Sequence, residues 1–341
     1  MIKSTAWNAA LVVALVLPCP AGAAEGLPDF RGRTVTIIAS FEAGGPYDFY
    51  GRLIAGHIGA YLPGHPTVVV QNMPGAGGLR GANYLYNIAA RDGTVMGVVS
   101  QTVAVGQVLA TTAGIQYDAR KFTWIGRINS NVEVLHTWSA SGVTSIEDAK
   151  KREVILAGTG PTSSSVVMPR VMNELIGTKF KVVTGFQGPT SAQLALERGE
   201  VEGIVKPWSA IKTSTPDWLH DKKISLIVQY TRERHRELSD VPAIVDLGRD
   251  ASQRQIFALF AGGAALGTAI VAPPTLAPPV VSILRKAFDE TMADPALLDE
   301  VRRSGVDIDP LPGAALQKVV AGTFVIDPEV LERARKLSLG P

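Results

Sequence analysis

The stretch at residues 37–53, I-I-A-S-F-E-A-G-G-P-Y-D-F-Y-G-R-L, limits what this chain can fold into more than any other. A β-branched apolar run (Val35, Ile37, Ile38) ends in a turn built from Gly44, Gly45 and Pro46. Asp48 then opens an amphipathic helix that carries Phe49, Leu53, Ile54 and Ile58 on one face. Strand, glycine turn, acidic N-cap and helix are the first half of a βα unit. Two adjacent glycines let the backbone approach a partner closely, and any non-glycine at Gly45 would project a Cβ there or forbid φ > 0. The first N–H groups of a helix lack intrahelical partners, so such a terminus favours an anion or a carbonyl. The plainer reading is a tight turn and a helix cap. Recurrence of the design elsewhere in the chain tips the balance.

A second strand spans 67–72, followed by M-P-G-A-G-G-L-R-G at 73–81 and a helix over 79–90. The spacing misses the dinucleotide fingerprint: Arg80 stands where a third glycine is needed, and no acidic residue follows at ribose distance. No phosphate-binding P-loop is present either. The strand at 94–100 ends at Ser100-Gln101-Thr102, a helix follows over 103–112, and a strand surrounds Trp124 and Ile125. This β-α-β-α-β-α-β order predicts a mainly parallel sheet with ligands at the carboxyl ends of its strands. After a strand at 133–138 and a short helix capped by Thr144 and Ser145, the pattern restarts. Strand 154–157 leads into G-T-G-P-T-S-S-S at 158–165 and a helix over 166–176. Strand 180–184 leads into G-F-Q-G-P-T-S at 185–191 and a helix over 192–199. Strand 203–205 ends at K-P-W-S, 206–209, and a strand at 224–230 closes this second α/β domain. The C-terminal third reads as one strand (266–271) and amphipathic core-covering helices at 277–293, 295–303, 313–324 and 328–337.

Residues 1–24 read as a signal peptide: Lys3, the apolar run 9–17, breaking prolines at 18 and 20, then A-G-A-A at 21–24. Cleavage is expected near Ala23 or Ala24. Nine apolar residues are too few to span a bilayer, which takes about 20. Cys19, the chain's one cysteine, lies inside this segment, so the mature protein is expected to have neither disulfide nor thiol nucleophile. The remaining chain is long enough for two domains with good cores. Without Lys3 of the full chain's 33 basic residues, its 32 basic against 31 acidic residues argue against a nucleic acid or an anionic membrane as partner.

The five histidines, at 57, 65, 136, 220 and 235, form no H-x-H or H-x-x-x-H pair, so no metal is expected. The hydroxyl loop at 160–165 lacks the second glycine of a nucleophile elbow. Glu42 and Asp48 are candidates for an acid and a base, but a carboxylate beside a glycine turn is more often a cap. No catalytic constellation and no cofactor motif emerges. Two α/β domains with glycine and hydroxyl loops at their strand ends suit a two-lobed cleft that closes on a small solute.

Several segments resemble one family in particular. A-S-F-E-A-G-G-P-Y-D at 39–48 resembles the P-F-P-P-G-G-G-x-D turn of the extracytoplasmic receptors of tripartite tricarboxylate transporters, the Bug receptors. V-Q-N-M-P-G-A-G-G at 70–78 looks like their V-E-N-R-P-G-A-G-G turn, A-A-R-D-G-T at 89–94 like A-A-x-D-G-Y, and S-D-V-P at 239–242 like L-P-D-V-P. The segment 185–191 is similar to their Y-K-G-x-x-P. The match runs in order from about residue 30 to the C-terminus.

The resemblance implies a type II periplasmic-binding-protein fold: two mainly parallel α/β domains joined by hinge strands. Lobe one is expected over 25–127 plus 240–341 and lobe two over 128–239. It implies an organic carboxylate held between the lobes by backbone groups and water, and delivery to large and small membrane permease subunits. No cofactor, metal or nucleic acid is expected, and the chain is expected to be periplasmic and monomeric. Phe41, Gly44, Gly45, Asp48, Gly77, Ser100 and Gln101 would line lobe one; Thr159, Thr162, Ser163, Gln187 and Thr190 would line lobe two. Glu42 stands where the family has proline, and Pro46-Tyr47 replace Gly-Thr. An acid at the mouth argues against a simple small dicarboxylate, and Tyr47 and Trp208 are candidates to stack on a larger or aromatic acid. An exported hydrolase or lyase using Glu42 or Asp48, and a ligand-presenting sensor, are the competing readings.

Overall fold

The computed structural model describes residues 28–109, 114–159, 163–186 and 189–339. The segment read as a signal peptide, Cys19 included, lies outside the described residues. The chain starts with β1 (Thr34–Ala39), α1 (Pro46–Ile58), β2 (Thr67–Asn72), α2 (Leu79–Asn87), β3 (Val95–Val99), α3 (Val103–Leu109) and β4 (Thr123–Asn129). It crosses to a second sheet at β5 (Glu133–Trp138), then α4 (Ile146–Lys151), β6 (Val154–Gly158), α5 (Ser164–Ile176), β7 (Phe180–Thr184) and α6 (Pro189–Glu197). β8 (Gly203–Pro207), α7 (Trp208–Ser214), α8 (Pro216–His220) and β9 (Ile224–Gln229) complete that part. The return runs through α9 (Ala251–Phe260), α10 (Gly262–Leu266), β10 (Thr268–Ala272), α11 (Pro278–Met292), α12 (Pro295–Ser304), β11 (Leu311–Pro312), α13 (Gly313–Thr323) and α14 (Pro328–Leu339).

The first sheet has the order β11-β4-β10-β3-β1-β2 and the second β7-β6-β8-β5-β9. β1 pairs in parallel with β2 and β3, and β6 with β7 and β8. β10 is antiparallel to β3 and β4, and β5 to β8 and β9. β5 and β10 are each the first strand laid down after the chain passes from one sheet to the other; the short β11 also runs antiparallel to β4. Only 130–132 separate Asn129, the end of β4, from Glu133, the start of β5. A strand entered that way begins at the edge where its neighbours end. Glu133 therefore pairs with Pro207, the last residue of β8, and Thr268 with Asn129, the last of β4. This topology sets residues from strand beginnings among the strand-end loops.

Both sheets are covered on both faces, as the continuous apolar runs of β1, β3 and β10 require. On the first sheet, Ile37, Met96, Val98 and Ile270 pack with Leu53, Ile54 and Ile58 of α1 and Leu284 and Phe288 of α11. Each fully buried aliphatic of this kind contributes about 1.5–3 kcal/mol. The opposite face joins Ile38, Val99, Trp124 and Val271 to Leu85 of α2 and to Leu316 and Val320 of α13. On the second sheet, Leu135, Leu156 and Val228 meet Val171 and Met172 of α5, Phe257 of α9 and Ala334 of α14. Ile204 and Val134 meet Leu196, Ile211 and Trp218 on the other side. Of the C-terminal segment expected with the first lobe, α11 and α13 pack on the first sheet, whereas α9 and α14 enter the apolar core of the second.

Candidate functional site

The glycine turn after β1 is organised by a buried carboxylate. α1 begins at Pro46, with Gly45 as N-cap residue, so Asp48 is the third helical residue and not the cap expected from the sequence. From there it reaches back along the loop. Its Oδ2 accepts from the Gly44 N–H at 2.9 Å and from Arg52 Nε at 3.0 Å, and its Oδ1 from Asn72 Nδ2 at 2.8 Å. Asn72 Nδ2 also donates to the Phe41 carbonyl. Asp48 is 3% exposed, and burial alone would raise its pKa; bonds from Arg52, Gly44 and Asn72 outweigh that and hold it at about 2. The left-handed residue of the turn is Gly44, at φ +82, while Gly45 sits at φ −85 in ordinary extended backbone. Of the two sequence-based reasons for a glycine at 45, a need for φ > 0 is thus excluded, and the positive φ falls on Gly44, whose N–H is held by Asp48.

Phe41 and Tyr47 stack on each other, ring centroids 4.2 Å apart and 15° from parallel. The Tyr47 hydroxyl accepts from the Gln101 N–H at 3.3 Å, and burial pushes its pKa up to about 12. Glu42 is exposed at the loop tip. Beside this turn stands the one after β2. Gly75, Gly77 and Gly78 have φ of +140, +66 and +91, and a Cβ on Gly78 would lie 3.1 Å from the Phe41 ring. The third strand end follows β3, where Ser100 Oγ lies 2.8 Å from Thr102 Oγ1 and accepts from the Thr102 N–H.

Across from these loops lies the N-terminus of α5. Ser163 is its N-cap residue, and its Oγ lies 2.8 Å from that of Ser165, which also accepts from the Thr159 N–H at 3.2 Å. Thr162 and Gln187 lie outside the described residues, as does the Thr190 side chain. Trp208 opens α7; its indole N–H donates to Glu237 at 2.7 Å, and Lys212 Nζ stands 5.8 Å over its ring. Tyr47 is thus taken up by Phe41 and Trp208 by Glu237 and Lys212.

Between the two sets of loops is a cavity of about 80 Å³. Gly77, Gly78, Ser100 and Thr102 line it from the first sheet, Ser164, Val167 and Met168 from α5. Val103, Val105 and Leu109 of α3, with Phe260, Gly263 and Ser338, add an apolar wall, and no lining residue carries a charge. Of the residues singled out in the sequence, Gly77 and Ser100 face this space directly. Phe41, Tyr47 and Gln101 adjoin it through Gly78 and Ser100. Thr159 and Ser163 reach α5's first turn.

Sequence reasoning missed Glu133. It starts β5; burial raises its carboxyl pKa, which the neighbouring Ser164 and Gln101 side chains offset only in part. Gln101 Oε1 and the Tyr230 hydroxyl are buried there without a partner among the described residues. The signal was an acid placed directly after a sheet-to-sheet crossing, which becomes legible only once the reversal of β5 is known. Among the described residues, no three His, Cys, Asp or Glu are arranged to hold a metal, and no helix is long and apolar enough to cross a membrane.

Residues 62–325 match the profile of the tripartite tricarboxylate transporter family receptors. Among solved structures, the chain resembles the periplasmic binding protein BugD at 20% identity and TM-score 0.66, over 91% of this chain and 99% of that one. It resembles MatC from Rhodopseudomonas palustris, solved with bound malate, at 21% identity and TM-score 0.65, over 90% and 100%. A further R. palustris protein, solved with adipate, matches at 19% identity and TM-score 0.66, over 91% and 98%. These likenesses establish the fold, two-lobed as in other periplasmic binding proteins. A search of curated proteins finds no match.

Proposed function

Because the chain belongs to the tripartite tricarboxylate transporter receptor family, we propose that it is a periplasmic receptor that binds an organic carboxylate between its lobes and delivers it to membrane permease subunits. The observation that carries this reading is the cavity itself. Residues of strand-end loops from both sheets line it, among them Gly77, Gly78, Ser100, Thr102 and Ser164, without a charged lining residue. Neutral donors at helix starts hold a carboxylate without a buried cation. The proposed contacts are Gly44, Gly45, Gly77, Ser100 and Gln101 from lobe one (25–127 plus 240–341), and Thr159, Thr162, Ser163, Gln187 and Thr190 from lobe two (128–239). Phe41, Glu42, Tyr47 and Trp208 shape the rim. The chain acts as a monomer, and its crossings between the sheets, at 130–132 and between α9 and β10, serve as the hinge.

The reading as an enzyme on the same scaffold finds no support in the carboxylates it would use. Asp48, saturated by three partners and with a pKa of about 2, has no proton affinity to spend as a base. Glu42 is exposed. Thermal-shift screening of a carboxylate library, with malate and adipate as first probes, tests the receptor role. A ligand at about 100 times its Kd adds about 2.7 kcal/mol of stability, a readily measured rise in Tm. A protein that no carboxylate stabilises, or that turns one over, is not this receptor. Loss of uptake of the bound acid on deleting the gene tests delivery.

A further inference from the structure

Away from the cavity, the second sheet buries two basic side chains under a short helical cover. β5 and β8 pair His136 with Ile204 and Val134 with Lys206, and Val134 and Ile204 face the apolar side of α6, α7 and α8. His136 and Lys206 therefore point to that same side. His136 is fully buried and Lys206 is 4% exposed. The Trp218 ring of α8 lies near both, 6.0 Å from the imidazole and 5.6 Å from Lys206 Nζ. His136 Nδ1 stands 3.2 Å from the Val134 carbonyl, which can only accept, so the proton of the neutral ring belongs on Nδ1. Nε2 is then a bare lone pair, buried and without a partner among the described residues. Lys206 Nζ donates to Gln193 Oε1 at 2.8 Å and to Ser214 Oγ at 2.7 Å.

The other charged groups of the three covering helices do not neutralise this pair. Glu197 of α6 is exposed and acts on Lys206 from the rim, where it accepts from Gln193. Lys212 is engaged by Glu237 and Asp307, His220 by Asp221, and Asp217 is exposed. A proton added at Nε2 would thus create a second buried positive charge, facing Lys206 and lacking an acceptor. Such a state is far costlier closed than open to water. Burial, with Lys206 beside it, accordingly pulls the His136 pKa down to about 4. The cover is also tied to the segment that joins the sheets: the Trp208 N–H, at the start of α7, donates to the Val132 carbonyl at 2.8 Å.

We propose that His136 is an acid switch, whose protonation at Nε2 lifts the α7–α8 cover off the second sheet and frees the crossing at 130–132. An open cover lets His136 take up its proton near the ordinary 6.5, whereas the closed one holds it off until about pH 4. The open form therefore gains as pH falls through that window, by about thirtyfold at pH 5.

Hydrogen exchange of the purified full chain at pH 7.5 and pH 5, read by mass spectrometry and corrected for the intrinsic exchange rate, tests it. Amides over 208–220 should lose about thirtyfold in protection at pH 5, while those of β1 and α1 keep theirs. His136→Leu, apolar and unable to charge, should show the same protection over 208–220 at both pH values, with circular dichroism as folding control. Should that variant pack poorly, Lys206→Met serves instead: without the facing charge, the acid-induced loss should shrink at least about threefold. A wild-type cover equally protected at both pH values overturns the inference. So does a loss that persists undiminished in the variants, or one spread evenly over both sheets.

Discussion

At the scale of single residues, the Asp48 carboxylate braces the first turn, and its energetics can be read from pH. Its folded pKa of about 2 lies below the unfolded 3.8, so the unfolded chain takes up a proton first as pH falls. The carboxylate's contribution, ~2 kcal/mol, is therefore fully present above about pH 4 and is lost as pH falls toward 2. Asp48→Asn should cost about that much in urea unfolding at pH 7, and the two proteins should converge near pH 2. A constant difference across pH would mean that the carboxylate is not ionised in the fold. Lys206 has the opposite character. It is 4% exposed, donates to Gln193 and Ser214 and lies under the Trp218 ring, and burial pulls its pKa down to about 8. The unfolded chain then binds more protons between about pH 8 and 10.5, so stability rises with pH across that window. Lys206→Met should stabilise the protein by about 1–2 kcal/mol at pH 7, the gain shrinking as pH approaches 10; a destabilised variant would show that its hydrogen bonds outweigh desolvation.

At the scale of elements, the turns are set by how closely helices sit on strands. α2 approaches β1 so tightly that a Cβ on Gly81 would lie 2.4 Å from Ser40 Oγ and 3.1 Å from its Cα. Gly81→Ala should push the helix outward and, with it, the Gly77–Gly78 turn, costing about 1–3 kcal/mol in thermal unfolding and weakening ligand affinity together. The two glycines before α1 should separate these effects. Gly44, at φ +82, loses about 1 kcal/mol on replacement by alanine. Gly45, whose Cβ would meet only the Glu42 carbonyl oxygen at 3.6 Å, should accept valine at about 1 kcal/mol or less yet lose affinity at least tenfold. Calorimetric titration of Gly45→Val decides this; unchanged affinity would move the site away from this turn.

At the scale of the whole molecule, the proposed closing of the lobes can be probed at one ion pair. Lys212 of α7 bridges to Asp307, beyond α12, at 2.7 Å while also holding Glu237, and the Asp307 carbonyl accepts from Tyr50, whose hydroxyl in turn accepts from Asn129. Asp307→Ala removes this ion pair and leaves Lys212–Glu237 intact. Being half exposed, the pair contributes less than about 1 kcal/mol, so unfolding should barely change. Small-angle scattering should show a larger radius of gyration for the unliganded variant than for wild type, and contraction of both on saturation with ligand. Identical radii throughout would argue against a hinged receptor.

The strand–glycine turn–helix units were legible from local pattern alone: β1 with α1, β2 with α2 and β6 with α5 lie close to where apolar periodicity and turn chemistry put them. So were the two-lobed α/β class and the family, since those follow from short motifs in order along the chain. Helix ends, strand direction and partners are another matter. Whether Asp48 caps α1 or braces Gly44 depends on Asn72 and Arg52 arriving from other parts of the chain. That Glu133 stands beside the cavity depends on β5 running backwards after a three-residue crossing, and that α14 closes the core of the second sheet depends on where the chain returns. Local spacing encodes elements because hydrogen bonding and periodicity are local; a site assembled from strand ends of two sheets is decided only by how distant segments pack.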